Sequence, residues 1–260
     1  MLWIDYVLFN GEEIAKARLE YLNKYVDIFY ICEGRYTHQG SRKEVLYIEK
    51  KAEWFEEYKD KIRYYVFEKR PEEVKNYEQS HRDSAVMEII EKESSPYIIS
   101  GCDIDEIPDL SKMPRKEEIY KKCSTGCVRM SQKFFYYNLN HHFKERWTAP
   151  FFINDILLKR TRSIQYYRYE NASKTSCIIE CGWHFSYFQS AEEIVRKLSS
   201  FCHAEYNREK YKDIEHIRAC ISKGKDLFGR VKKELHRSSE KEIEDVPESV
   251  KLLSRNLESA

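Results

Sequence analysis

No stretch of this 260-residue chain stays apolar long enough to cross a bilayer, which takes about 18 residues. The opening MLWIDYVLFNG has neither the basic region nor the small-residue cleavage site of a secretory signal. It reads as a first strand, and a cytoplasmic protein is expected. Neither sign of charge is in excess. The 45 Lys and Arg face 44 Asp and Glu, which argues against a nucleic-acid footprint or a polybasic membrane patch. Glycine-rich phosphate loops are missing: there is no GxGxxG and no GxxxxGK[ST], and no GxSxG nucleophile elbow either. Repeats, low-complexity segments and Pro/Gly-rich linkers are also lacking. One domain is therefore expected over residues 1–230. A charged, exposed helix or frayed tail should follow over 231–260, where apolar residues thin out.

What is present is a globular composition, 42% hydrophobic, in a chain long enough to bury a core. The eight cysteines sit mostly in apolar stretches of a chain too large to need a disulfide frame, so they read as small core residues. A four-cysteine zinc site from Cys123, Cys127, Cys177 and Cys181 is disfavoured because CIIEC reads as a strand. Asn171-Ala172-Ser173 is a glycosylation sequon that means little without a secretion signal. Strands are expected over 3–9, 26–32, 62–67, 97–100, 127–138 and 150–158, and helices over 12–25, 77–93, 192–198 and 213–221. The early strand–helix–strand alternation predicts parallel pairing with right-handed crossovers. It makes the fold α/β, with the site at the carboxyl ends of the strands.

One such end stands out. The apolar run Tyr97-Ile98-Ile99 leads straight into SGCDIDEIPDL, which holds Asp103, Asp105 and Glu106 within four positions. Clustered carboxylates are costly unless something positive sits there. Residues i and i+2 of an extended chain share a face, so Asp103 and Asp105 can point at one hard cation while Glu106 points elsewhere and braces a backbone group or a cation. A solvated acidic turn is the plainer reading of the fragment alone, and metal-free acid/base chemistry also stays open. A calcium loop of the EF-hand type fails, because Pro108 and Pro114 stand where it needs Gly and Glu. His141-His142 reads as a solvated loop, and the twenty tyrosines mostly as packing, with some able to stack on sugar rings.

A second stretch, GWHFSYF over 182–188, changes the weighing. It is followed by AEEIVRKLSSFCHAEYN and DIEHIRACISKGKDLFGR. Taken with CDIDEIPD and with FNGEEIAKARLEYLNKYVDIFYICEGRYTHQG, it resembles glycosyltransferase family 17 over about residues 9–230. That family includes the β-1,4-mannosyl-glycoprotein N-acetylglucosaminyltransferases that add bisecting GlcNAc; this chain resembles its bacterial or viral members. The resemblance implies a GT-A-like nucleotide-sugar-binding fold with a mostly parallel central sheet flanked by helices. It also implies Mn²⁺ or Mg²⁺, a UDP-sugar donor (GlcNAc expected), a glycan or glycolipid acceptor, and inversion at the anomeric carbon.

Residue by residue, the resemblance assigns Asp103 and Asp105 to metal and donor, with Asp105 the metal ligand, and His184 to a late metal or diphosphate contact. Trp183 would pack under the donor or be core, and Arg82 would reach donor phosphate or ribose. Glu33 would accept from uracil, although Gly34 stands where the family commonly has serine. Thr37 and Gly40 keep a Thr-x-x-Gly spacing. Glu180 and Asp155 are candidates for the base that an inverting transfer needs, although Glu180-Cys181 departs from the family's residues there. Residues 38–43 or those after 207 would supply a loop that orders on donor binding. A nucleotidyltransferase or pyrophosphohydrolase is the alternative enzyme, but Asn10-Gly11-Glu12-Glu13 is acidic where it wants a basic, glycine-rich loop. A non-catalytic nucleotide-sugar-binding module is the third reading.

Overall fold

The computed structural model describes residues 1–168, 174–230 and 233–259; the sequon at 171–173 lies outside the described residues. Ten strands form one sheet among them: β1 Leu2–Leu8, β2 Ile28–Gly34, β3 Ile62–Phe67, β4 Tyr97–Gly101, β5 Glu106–Ile107, β6 Cys127–Tyr136, β7 Asn138–Trp147, β8 Phe151–Asn154, β9 Thr175–Ser186 and β10 His236–Arg237. Helices that matter here are α1 Ile14–Leu22, α2 Tyr77–Arg82, α3 Val86–Lys92, α4 Asp155–Thr161, α5 Ala191–Leu198, α6 Ile214–Lys223 and α7 Glu248–Ser259.

The expected α/β architecture is what the chain adopts, with a large central sheet flanked by helices. Strands β3, β2, β1 and β4 lie side by side and parallel, Ile4 standing opposite both Ile28 and Ile99. Trp3, Ile4, Phe29, Tyr30, Ile98 and Ile99 are buried, as strands covered on both faces require. Beyond β4 the pairing turns antiparallel through β8 to β6 and β7, and the long β9 lies parallel to β6. The carboxyl ends of β1, β2 and β4 thus open on one edge, where a ligand crevice belongs. On the other half, α5 and α6 pack over Phe134, Tyr136 and Phe143 in a second apolar cluster. Ser190 caps α5 through the amide of Glu193, and Asp213 caps α6 through that of His216.

Local chemistry reshapes three expected elements. The helix of 77–93 breaks in two around Asp83, whose carboxylate instead accepts the amides of Ile164 and Gln165 at 2.8 and 3.0 Å. The strand of 150–158 stops at Asn154, whose side chain caps α4 by accepting the amide of Leu157 at 2.9 Å. His141 and His142 are not in a loop but on β7, which returns from β6 through Tyr137 at φ 70°. Within the C-terminal segment, Glu248–Ser259 is helical. Helix α7 is amphipathic and buries Val250 and Leu253, while Ser254 accepts the amide of Leu139 at 2.9 Å. Cys123, Cys127 and Cys181 are buried in the core, and among the described residues the cysteines are free thiols.

Candidate active site

The acidic loop after β4 is held by three arginines from separate elements. Arg18 on α1 is fully buried; it forks onto Asp5 of β1 at 2.7 and 2.8 Å, and its remaining nitrogen donates to the carbonyl of Glu106 at 2.7 Å. Glu106 accepts the amide of Asp103 at 2.7 Å, takes both terminal nitrogens of Arg168 at 2.8 and 2.7 Å, and accepts the indole N–H of Trp147. Asp103 is gripped by Arg82 at 2.7 Å and, more closely, by Arg168. Burial works most strongly against both charged carboxyls, yet the neighbouring cations and hydrogen bonds, Arg168 foremost and Arg82 on Asp103, together outweigh it, and both are held below the usual carboxylate range. Glu106 is therefore the brace its place in the motif suggested, and much of the positive charge that the motif demanded comes from the protein itself.

Asp105 is held differently. Its two oxygens face His184 Nε2 at 3.6 Å and Lys197 Nζ at 3.5 Å, both loose for charged partners. His184 arrives from β9, where β5 pairs with it opposite Glu106. That approach depends on Gly182. Its φ is 103°, and a Cβ there would come within 2.2 Å of the carbonyl oxygen of Ile107. The imidazole lies stacked on Phe134 and against a tilted Trp147, at 4.5 and 4.8 Å between centroids. Its Nδ1 is buried without a partner, and burial holds its pKa down against the pull of Asp105.

These groups line a cavity of about 280 Å³ at the carboxyl edge of the sheet. Arg82, Asp103, Asp105 and His184 all face it, as do Thr37, Lys43, Glu12 and Lys197. Glu12 accepts the amide of Asn10 at 2.8 Å through one oxygen and has no ion pair among the described residues. A wall is added by His38 and His81, 3.4 Å apart between ring nitrogens, with His81 stacked on Phe67. Burial lowers both, His38 to about 4. Two loops meet over this wall: the amide of His38 donates to Ser200, and Gln39 Nε2 donates to Leu198, both at 3.1 Å.

Four expected residues lie elsewhere. Glu33 is fully buried behind the cavity, accepting the amides of Tyr47 and Ile48, the hydroxyl of Tyr64 and the ammonium of Lys43. With those four donors it has no room for uracil, and Gly34 is the residue at that strand end that lines the cavity. Trp183 is buried against Tyr21 on the opposite face of β9 from His184, as strand alternation dictates. The Glu180 side chain is 80% exposed and, among the described residues, pairs only with Arg146, at 4.0 Å. Asp155 opens α4, bonded to Tyr120 and Lys159, outside the cavity. Neither carboxylate is placed to act as the base.

The profile of glycosyltransferase family 17 matches residues 3–252 of the chain. The chain belongs to glycosyltransferase family 17. No curated protein matches it. As a family 17 glycosyltransferase it calls for a nucleotide-sugar donor and a glycan acceptor in general. Among the described residues no helix is long and apolar enough to cross a membrane.

Proposed function

We propose that this family 17 glycosyltransferase moves a sugar, GlcNAc in the first instance, from a UDP-sugar to a hydroxyl of a glycan or glycolipid, inverting the anomeric carbon with the help of Mn²⁺ or Mg²⁺. The observation that carries the reading is Asp105 and His184, which face each other across 3.6 Å without a hydrogen bond. A carboxylate and a neutral imidazole in that relation suit a small divalent cation. Asp103 does not suit it as a ligand, since Arg82 and Arg168 occupy its oxygens. Among the described residues no group of three or more His, Cys, Asp or Glu gathers as a metal cluster. Two protein ligands plus substrate phosphates is the familiar arrangement for Mg²⁺, so metal and donor should bind together.

When bound, the cation would neutralise charge growing on the departing diphosphate. Arg82 and Arg168 keep Asp103 ionised and the loop fixed. Glu12, the cavity carboxylate without an ion pair, takes the proton of the acceptor hydroxyl as its oxygen bonds to the anomeric carbon. The bond from that carbon to the β-phosphate oxygen breaks, and its electron pair leaves with UDP.

Calorimetric titration of UDP with and without Mn²⁺, on the wild type and Asp105→Ala, tests the core of this. UDP binding that needs Mn²⁺ and is lost in the variant is expected. Metal-independent binding, unchanged in the variant, would remove Asp105 from the metal site. A donor screen with NMR of the product's anomeric configuration then addresses the sugar and the inversion.

A further inference from the structure

Asp103 and Asp105 sit two residues apart, yet their cations are attached in different ways. The arginines on Asp103 are tight and buried. The ammonium of Lys197 stands 3.5 Å from Asp105, and 5.2 Å from the ring centroid of Tyr187. Its backbone belongs to α5, which is fixed by the Ser190 cap and by buried Ile194 and Leu198. The four-carbon stem can therefore swing while its root stays still. Tyr187 itself holds φ at 56°, an uncommon conformation for a non-glycine residue and one that clusters at functional sites. At the cavity and just behind it, Asp103, Glu106 and Asp105 are countered by Arg82, Arg168 and Lys197. Glu12 and Asp103 are the other carboxylates that act on the ammonium.

We propose that Lys197 is the resting counter-ion of Asp105, and that it transfers to the donor diphosphate when donor and divalent cation bind. This rests on the metal-and-UDP reading above and adds its order of events. Asp105 cannot serve an ammonium and a divalent cation equally well at once, so Lys197 weakens metal binding in the absence of nucleotide. The diphosphate supplies the ammonium with a new partner, and this couples the two ligands: each strengthens the other. The device discourages the site from filling with metal alone and adds a cation on the leaving group.

The experiment is Mn²⁺ binding followed by electron paramagnetic resonance, with and without UDP, on the wild type, Lys197→Met and Lys197→Arg. Lys197→Met should bind Mn²⁺ alone about tenfold more tightly, and UDP at saturating Mn²⁺ about tenfold more weakly, each a shift of about 1.4 kcal/mol. Lys197→Arg, which keeps the charge, should stay within about threefold of the wild type for both ligands, as a shift under about 0.7 kcal/mol. Lys197→Gln repeats the measurement if the methionine variant melts early. Unchanged or weaker Mn²⁺ binding in a folded neutral variant, beside a wild type that binds Mn²⁺ and UDP together, overturns the role of Lys197 alone. A wild type that takes up neither Mn²⁺ nor UDP overturns the functional reading, and this proposal with it.

Discussion

Glu12 shows how much a single residue's surroundings decide. It opens the approach to α1, within an acidic Asn-Gly-Glu-Glu turn that gives no hint of chemistry. Its neighbours in the cavity are all engaged: Glu78 pairs with Arg82, Asp103 with two arginines, Asp105 with His184 and Lys197. Glu12 faces the Lys197 ammonium but, alone among these carboxylates, closes no ion pair among the described residues, which suits a group that must receive a proton. Glu12→Gln should lower kcat about 100-fold, the smaller end of the range for a lost general base, with UDP affinity within about twofold. Steady-state kinetics beside calorimetry separates the alternatives. A loss confined to UDP affinity would make Glu12 a ribose or base contact and leave the base unassigned.

At the scale of elements, the meeting of β5 with β9 is what turns two distant motifs into one site. The 2.2 Å approach at Gly182 leaves no space for a side chain, and the φ of 103° adds strain to any replacement. Gly182→Ala should cost at least about 1–3 kcal/mol of stability from backbone strain alone. Its clash with Ile107 should also shift His184 away from Asp105, so Mn²⁺–UDP binding falls more than the melting temperature implies. Thermal melts paired with Mn²⁺–UDP calorimetry read both effects; full retention of binding would mean β5 does not position the imidazole. The sequence made β1, β2 and β4 legible because strands buried on both faces are continuous apolar runs, as in 26–32. It also marked Asp105 and His184, through two motifs. It did not show β7, whose half-buried His141 and His142 and exposed Lys144 break the apolar alternation of a strand. Nor did it show that Glu33 and Trp183 turn away from the cavity, or that Arg168 and Lys197 turn toward the acidic loop. A basic residue in an ordinary polar stretch carries no sign of its partner, which only tertiary placement supplies.

Across the whole molecule, buried ionisable groups tie stability to pH. Asp103 and Glu106 bind protons less readily folded than unfolded, because Arg168 and the other neighbouring donors together favour their charged forms over the cost of burial. Their contribution is present above the ordinary carboxylate range, about pH 4, and is lost as pH falls through their lowered values. His38 and His81 are also lowered, through burial of the neutral rings, His38 to about 4. Between that value and about 6.5 the unfolded chain takes up protons that the folded chain refuses, so stability again rises with pH. The melting temperature should therefore be flat between about pH 7 and 8, decline gently below about 6.5, and fall further below about 4, where the carboxylates act together with His81. Arg168→Met tests the further fall. Removing one partner of a buried ion pair should cost about 3–5 kcal/mol at neutral pH, because Glu106 is left charged and uncompensated. Protonation relieves that charge, so the gap in melting temperature between variant and wild type should narrow as the pH drops through about 4. A gap that stays constant from pH 7 to 3 would mean that Arg168 stabilises the fold through packing and not through its charge.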